Sequence, residues 1–164
     1  MSEKSTRIED ELLEYLDDGV KESALEFAAY LSANQMKPRM WFGPGFWIIP
    51  WENNNLFGIH LYGLNPNAHN KGWVFWFFSG DYNCGTDEEL MKFVQDNVGF
   101  CVKCYSECEK QGVNMMIFGR EYTNLCYQFP VRIENPDTIT LEKIKKLIEL
   151  WKEIAPYSNG LHVH

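Results

Sequence analysis

The chain has 164 residues, 45% of them hydrophobic and 15% aromatic, with a formal net charge of −8. A chain of this length buries roughly 70% of the surface that its unfolded form exposes, so a core can form without a disulfide or metal staple. The acidic balance argues against a nucleic-acid backbone or an anionic membrane as partner, and no apolar run approaches the ~20 residues of a membrane span.

The N-terminal MSEKSTRIEDELLEYL is charged and lacks the apolar stretch of a secretory signal. With an odd number of cysteines, five, this implies a reducing cytoplasm and free thiols. The first predicted element is a helix over residues 6 to 18. Thr6 and Glu9 have capping-box spacing, Ile8, Leu12, Leu13 and Leu16 form an apolar stripe, and Gly19 ends it. A second helix runs from about Lys21 to Asn34 on Ala24, Leu25, Ala28 and Leu31, widened by Phe27. Pro38 then forces an extended path. Strand-like residues flank the Gly43-Pro44-Gly45 turn, and residues 56 to 63 and 72 to 78 read as two more strands of an antiparallel meander. The run Trp73 to Phe78 does not alternate, which implies cover on both faces.

A third helix begins at Thr86, whose hydroxyl and Glu89 make a capping box; Gly99 kinks or ends it. Residues 113 to 119 and 123 to 133 read as two closing strands, with Pro130 restricting the second to a sheet edge or a bulge. A last helix starts near Thr140, buries Leu141, Ile144, Leu147, Ile148 and Trp151, and stops at Pro156. The whole, 1–164, reads as a single domain with loose tails at 1–5 and 157–164. The expected class is α+β: about five mostly antiparallel strands with helices packed on them, two helices at the N-terminus and one at the C-terminus.

Three cysteines crowd the stretch CVKCYSEC, residues 101 to 108, with Cys126 downstream. Cys101, Cys104 and Cys108 are spaced i, i+3, i+7, which makes one buried stripe if the third helix continues past Gly99. Alternatively, Cys101 with Cys104 and Cys108 with Cys126 are the two halves of a tetrahedral zinc site, although Val102 and Lys103 are not turn residues. A redox pair is a third reading: Lys103 favours a thiolate while Glu107 and Glu109 oppose it. The basic cluster Lys143, Lys145 and Lys146 reads as a solvated helix face.

The stretches LEFAAYLSANQMKPRMW, MIFGREYTNLC, VRIENPD and LEKIKKLIEL, with the cysteine cluster between them, resemble a family of small bacterial proteins that carries no known activity. The similarity covers most of the chain. It implies a common fold unit and adds weight to a metal at the cysteines. The family pattern follows the cluster with a Pro-Gly turn; Glu109-Lys110-Gln111-Gly112 keeps the glycine and lacks the proline, which leaves the ligand geometry open.

Ten rings, Trp41, Phe42, Phe46, Trp47, Trp51, Trp73, Phe75, Trp76, Phe77 and Phe78, fall within a span of 38 positions. They form a thick core, a patch covered by a second subunit of a homodimer, or the lining of a site for a flat or cationic small molecule. For such a site Trp47, Trp73, Phe75 and Trp76 are the stacking candidates, and Glu52, Tyr62 and Arg120 the orienting ones. His60 with Glu52 or Glu121 is a candidate acid–base pair. The nucleophile elbow, the P-loop, the dinucleotide fingerprint and His-Glu-x-x-His are all missing from the sequence. The leading expectation is a non-enzymatic binding domain with an aromatic-lined small-molecule site. A zinc-thiolate protein comes second, and a small enzyme built on His60 third.

Overall fold

The computed structural model describes residues 7–52, 54–62, 71–77, 87–101, 112–117 and 119–154. In chain order they form α1 (Ile8–Tyr15), α2 (Asp18–Ala33), β1 (Arg39–Met40), β2 (Phe46–Trp51), β3 (Asn54–Tyr62), β4 (Gly72–Phe77), α3 (Glu88–Gln95), β5 (Val113–Ile117), β6 (Arg120–Leu125), β7 (Val131–Glu134) and α4 (Thr138–Ile154). The fold is α+β, as its patterning implies. Five strands pair antiparallel in the order β1-β2-β3-β4-β7, and β5 with β6 makes a second, two-stranded sheet. Among the described residues no helix is long and apolar enough to cross a membrane.

The helix ends follow local hydrogen bonding. α1 stops at Tyr15, and Asp17 caps α2 through its carbonyl, which accepts the Val20 and Lys21 amides at 3.0 Å each. Gly19 therefore lies in the first turn of α2 and does not terminate α1; Asp17 and Asp18 are the residues that suit a helix start, because their charge opposes the helix dipole. Asp87 caps α3, its Oδ1 accepting the Leu90 amide at 3.0 Å, while Thr86 lies outside the described residues. α4 begins two residues ahead of Thr140, because Asp137 Oδ1 accepts the Thr140 amide at 2.8 Å. Hydrogen bonds from the Thr140 hydroxyl and from its amide hold the Asp137 carboxyl below its usual pKa.

The buried residues of the helices meet one face of the large sheet, while Leu13, expected in the stripe of the first helix, is exposed. Trp47, Ile49, Phe57, Ile59, Leu61, Trp73, Phe75, Phe77, Val131 and Ile133 pack with Ile8, Leu12, Phe27, Leu31, Leu141, Ile144, Leu147, Ile148 and Trp151 in one core. Phe27 is central, its ring 5.7 Å from Trp73, 5.9 Å from Phe75 and 6.1 Å from Phe57. Buried Glu11 fastens α1 to the start of β2: its Oε2 accepts the Trp47 indole N–H at 2.7 Å and the Gly45 amide at 2.9 Å. The basic cluster on α4 is tied down by ion pairs. Lys145 reaches Glu26 of α2 at 2.7 Å, and Lys143 reaches Glu89 of α3 at 3.2 Å. Tyr30 donates to Glu149 at 2.6 Å, and burial together with that carboxylate pushes its phenol well above the usual range.

The stretch 123–133 is two strands, not one. β6 stops at Leu125, residues 126 to 130 leave the ladder, and β7 resumes at Val131. Gly99 closes this excursion. Its N–H donates to the Pro130 carbonyl, and its own carbonyl accepts the Cys126 amide, both at 2.8 Å. Val98 bridges Val131 and Phe100 bridges Leu125 on either side. Pro130 thus lies in the break between β6 and β7, outside both strands, where its missing N–H disturbs no ladder. A Cβ on Gly99 would fall 2.5 Å from the Phe129 carbonyl oxygen, so the clasp requires glycine. α3 ends at Gln95, and Cys101 lies outside any helix, its amide donating to the Asn124 carbonyl at 2.8 Å, so Cys101 does not continue a helical stripe from α3; Cys104 and Cys108 lie outside the described residues. Long-range strand pairing overrides the local helical spacing.

Candidate functional site: the aromatic outer face

The face of the large sheet opposite the helices is built in cross-strand rows. Register places Phe46 beside His60, His60 beside Val74 and Val74 beside Glu134. The next row runs Arg39, Ile48, Gly58, Trp76, Arg132. Ile48 and Trp76 are buried yet belong to no part of the helix-side core. Trp76 is instead boxed by Trp41, 6.0 Å away with its plane inclined by 30°, and by Phe129, edge-on at 4.9 Å. Phe129 reaches it from the excursion that Gly99 clasps. Beneath the Trp76 ring lies Gly58, where an added Cβ would come within 2.7 Å of three ring atoms. The absence of a side chain makes the notch in which the indole lies.

A second arm of rings starts at the β1–β2 turn. Trp41 donates its amide to the Phe46 carbonyl at 2.9 Å across Gly43-Pro44-Gly45, and both glycines have positive φ, 134° and 82°. The turn carries Phe42, which stacks on Trp41 at 4.1 Å and meets Phe46 edge-on at 6.4 Å. Phe46 in turn stacks on the His60 imidazole at 3.9 Å and 18°. Phe42 is 69% exposed, while Trp41, Phe46, His60 and Phe129 are half-buried. Burial lowers the His60 pKa, so its ring favours the neutral form. At one end of the face the Tyr62 hydroxyl accepts from Asn135 Nδ2 at 2.6 Å, and Asn135 Oδ1 accepts the Trp73 amide at 2.9 Å. The surface is an open face with a polar rim of Arg39, Arg132 and Glu134; Arg132 and Glu134 approach to 4.0 Å.

The sequence candidates divide across the sheet. Trp47, Trp73 and Phe75 point to the helix side and are 3%, 0% and 0% exposed, so they are core rings without a free face for a ligand. Alternation decides this: Trp73 and Phe75 are in phase with Phe77 and meet Phe27. Trp76 lies on the outer face but forms its floor, being 1% exposed. Tyr62 is on the outer face, engaged with Asn135. Glu52 is exposed, with φ 52°, in the turn beyond the Trp51–Asn54 pair, at the opposite end of the ladder from Phe46 and His60. Arg120 belongs to the second sheet, with its guanidinium 5.3 Å from the centre of the Tyr122 ring. Among the described residues no hydrogen bond or ion pair joins His60 to Glu52 or to Glu121, which lies on β6 of the second sheet.

Phe78, Cys104 and Cys108 lie outside the described residues. Cys101 and Cys126 are free and half-buried, and among the described residues no group of three or more His, Cys, Asp and Glu is placed to hold a metal ion. Trp41, Phe42 and Phe46 stand in the aromatic belt of the sequence, yet only register shows that they share a face with His60. Phe129 carries no such signal, since its position depends on Gly99, thirty residues earlier in the chain. A separate groove of about 430 Å³ between the start of α3 and α4 is lined by Asp87, Glu142, Lys145, Lys146, Glu149 and Glu153, with Leu90 and Leu150. It holds no ring, and Lys145 and Glu149 already have partners. No family model, curated protein or solved structure matches this chain.

Proposed function

We propose that the protein is a non-enzymatic binding domain that takes a planar, largely apolar small molecule on the outer face of its sheet. Phe42, Phe46 and His60 are the contact rings, with Trp41 and Trp76 behind them. The supporting observation is the exposed Phe42 ring at the head of a continuous chain of half-buried rings. Covering a phenyl side chain stabilises by about 1.5–3 kcal/mol relative to leaving it in water. The neighbouring rings are already ordered by their own packing, so a ligand need not pay to immobilise them. Neutral His60 offers one nitrogen as donor and the other as acceptor, which gives a flat heterocycle its orientation. Tyr62 and the rim of Arg39, Arg132 and Glu134 are the remaining polar groups within the rows.

The test is a thermal-shift and tryptophan-fluorescence screen of planar aromatic compounds on the wild type and on Phe42→Ala. The expected result is a set of compounds that raise the melting temperature of the wild type and lose that effect in the variant. A screen in which no compound moves either signal, or in which Phe42→Ala binds as tightly, contradicts the proposal. Sedimentation over a range of concentrations separates the remaining possibility: a dimer dissociated by Phe42→Ala would assign the face to a second copy of the chain.

A further inference from the structure

We infer that Cys101 and Cys126 form a two-thiolate site for a soft metal ion of the Cu(I), Zn(II) and Cd(II) class. The inference is independent of the aromatic face. It rests on the strand pairing around Gly99. Phe100 faces Leu125 across an antiparallel bridge, and flanking hydrogen bonds run from the Cys101 amide to the Asn124 carbonyl and from the Cys126 amide to the Gly99 carbonyl, both 2.8 Å. Gly99 is therefore opposite Cys126, and Cys101 opposite Asn124. Alternation along an extended chain puts Cys101 and Cys126 on one face as diagonal neighbours. The residue directly across from Cys126 is Gly99, and the space its missing side chain leaves is bordered by the Phe129 carbonyl oxygen and the Arg132 side chain.

Spacing selects the chemistry. Diagonal neighbours lie roughly 7–8 Å apart, beyond the ~4.4–6.8 Å between α-carbons that a disulfide requires. A metal ion bound to two thiolates at about 2.3 Å each spans up to roughly 4.6 Å between sulfurs, which makes up the difference. Both thiols are free and half-buried, so an ion can reach them while part of its coordination sphere is shielded from water. Soft thiolates select soft cations over the hard ions that carboxylates and carbonyls hold. Binding forms two S–metal bonds; each thiol releases its proton to solvent, and nothing is oxidised or reduced.

The test uses the full chain with Cys84→Ser, Cys104→Ser and Cys108→Ser, which leaves the pair as its only cysteines. Under reducing, anaerobic conditions it is titrated with Cd(II) and the thiolate-to-metal charge-transfer absorbance is followed. The expected result is one Cd(II) per chain, with affinity falling at least tenfold when Cys101→Ser or Cys126→Ser is added. A folded triple variant with no such absorbance overturns the inference. Should the triple variant not fold, Cys101→Ser/Cys126→Ser in the otherwise native chain decides. Loss of one equivalent relative to the wild type supports the site, and unchanged stoichiometry and affinity refute it. Competition with Cu(I) and Zn(II) then ranks the ions.

Discussion

Replacing Gly58 by alanine adds one methyl group at the point where the Trp76 indole crosses β3. That carbon would stand within 2.7 Å of three ring atoms. The ring has little room to move aside, because Trp41 and Phe129 box it at 6.0 and 4.9 Å. The backbone cannot easily retreat either, because Gly58 is paired to Ile48 on one side and Trp76 on the other. Overpacking of this kind costs about 1–3 kcal/mol. For a domain of this size each kcal/mol lowers the melting temperature by about 2–4 °C, so a drop of roughly 2–12 °C is expected. Thermal melts followed by circular dichroism measure it, and tryptophan emission should move to the red as Trp76 leaves its notch. Gly19→Ala is the control: nothing lies within 4 Å of its added carbon, and alanine favours the helix. A Gly58→Ala protein that melts within a degree of the wild type with unchanged emission would refute the assigned packing of the outer face.

The two core tryptophans should respond differently to shortening. Trp47→Phe strands the buried Glu11 carboxylate with a single donor, whereas Trp73→Phe removes an indole N–H that has no hydrogen-bond partner among the described residues. Chemical denaturation should therefore find Trp47→Phe the more damaging by about 1.5–3 kcal/mol, the value of a hydrogen bond to a charged group; equal losses would count against the Glu11 anchor. Gly99→Ala should destabilise by at least about 1 kcal/mol and speed amide exchange at Cys126, whose bond to the Gly99 carbonyl closes the excursion; an unchanged exchange rate would argue against the clasp. His60 contributes a pH dependence of known sign. Its folded pKa is lowered from 6.5 by burial, so the unfolded chain binds the proton more readily. Stability is complete above the unfolded value and declines as the pH falls through 6.5 towards the folded pKa. Melting curves between pH 7.5 and 5 should thus drop more steeply for the wild type than for His60→Phe, and parallel curves would contradict the burial.

The layered fold is legible because its local signals agree: helical stripes at both ends, strand-rich aromatic and aliphatic runs in the middle, and Gly43-Pro44-Gly45 between two of the strands. The side of the sheet on which each ring lies is harder to read. β4 is apolar on both faces, so residue type does not separate Trp73 from Trp76; only the position of α2, with Phe27 at its centre, does so. The spacing of Cys101, Cys104 and Cys108 fits a helix well, yet for Cys101 it is overruled by pairings with residues near 125 and 131, which no local window contains. The same pairings split the strand expected over 123–133 and carry Phe129 to Trp76. Glu52 and Arg120 are near the rings in sequence or at strand ends, but the β2–β3 register puts Glu52 at the far end of the ladder from His60, and Arg120 belongs to the second sheet.

The most direct test of the aromatic face is a two-dimensional ¹H–¹⁵N and aromatic ¹H–¹³C NMR titration with 1-naphthol as a planar probe. Saturable shifts confined to Trp41, Phe42, Phe46 and His60, with Trp47 and Trp73 unmoved, are the predicted result. Shifts centred instead on the groove between α3 and α4, or no saturable shifts at any concentration the probe allows, would contradict it.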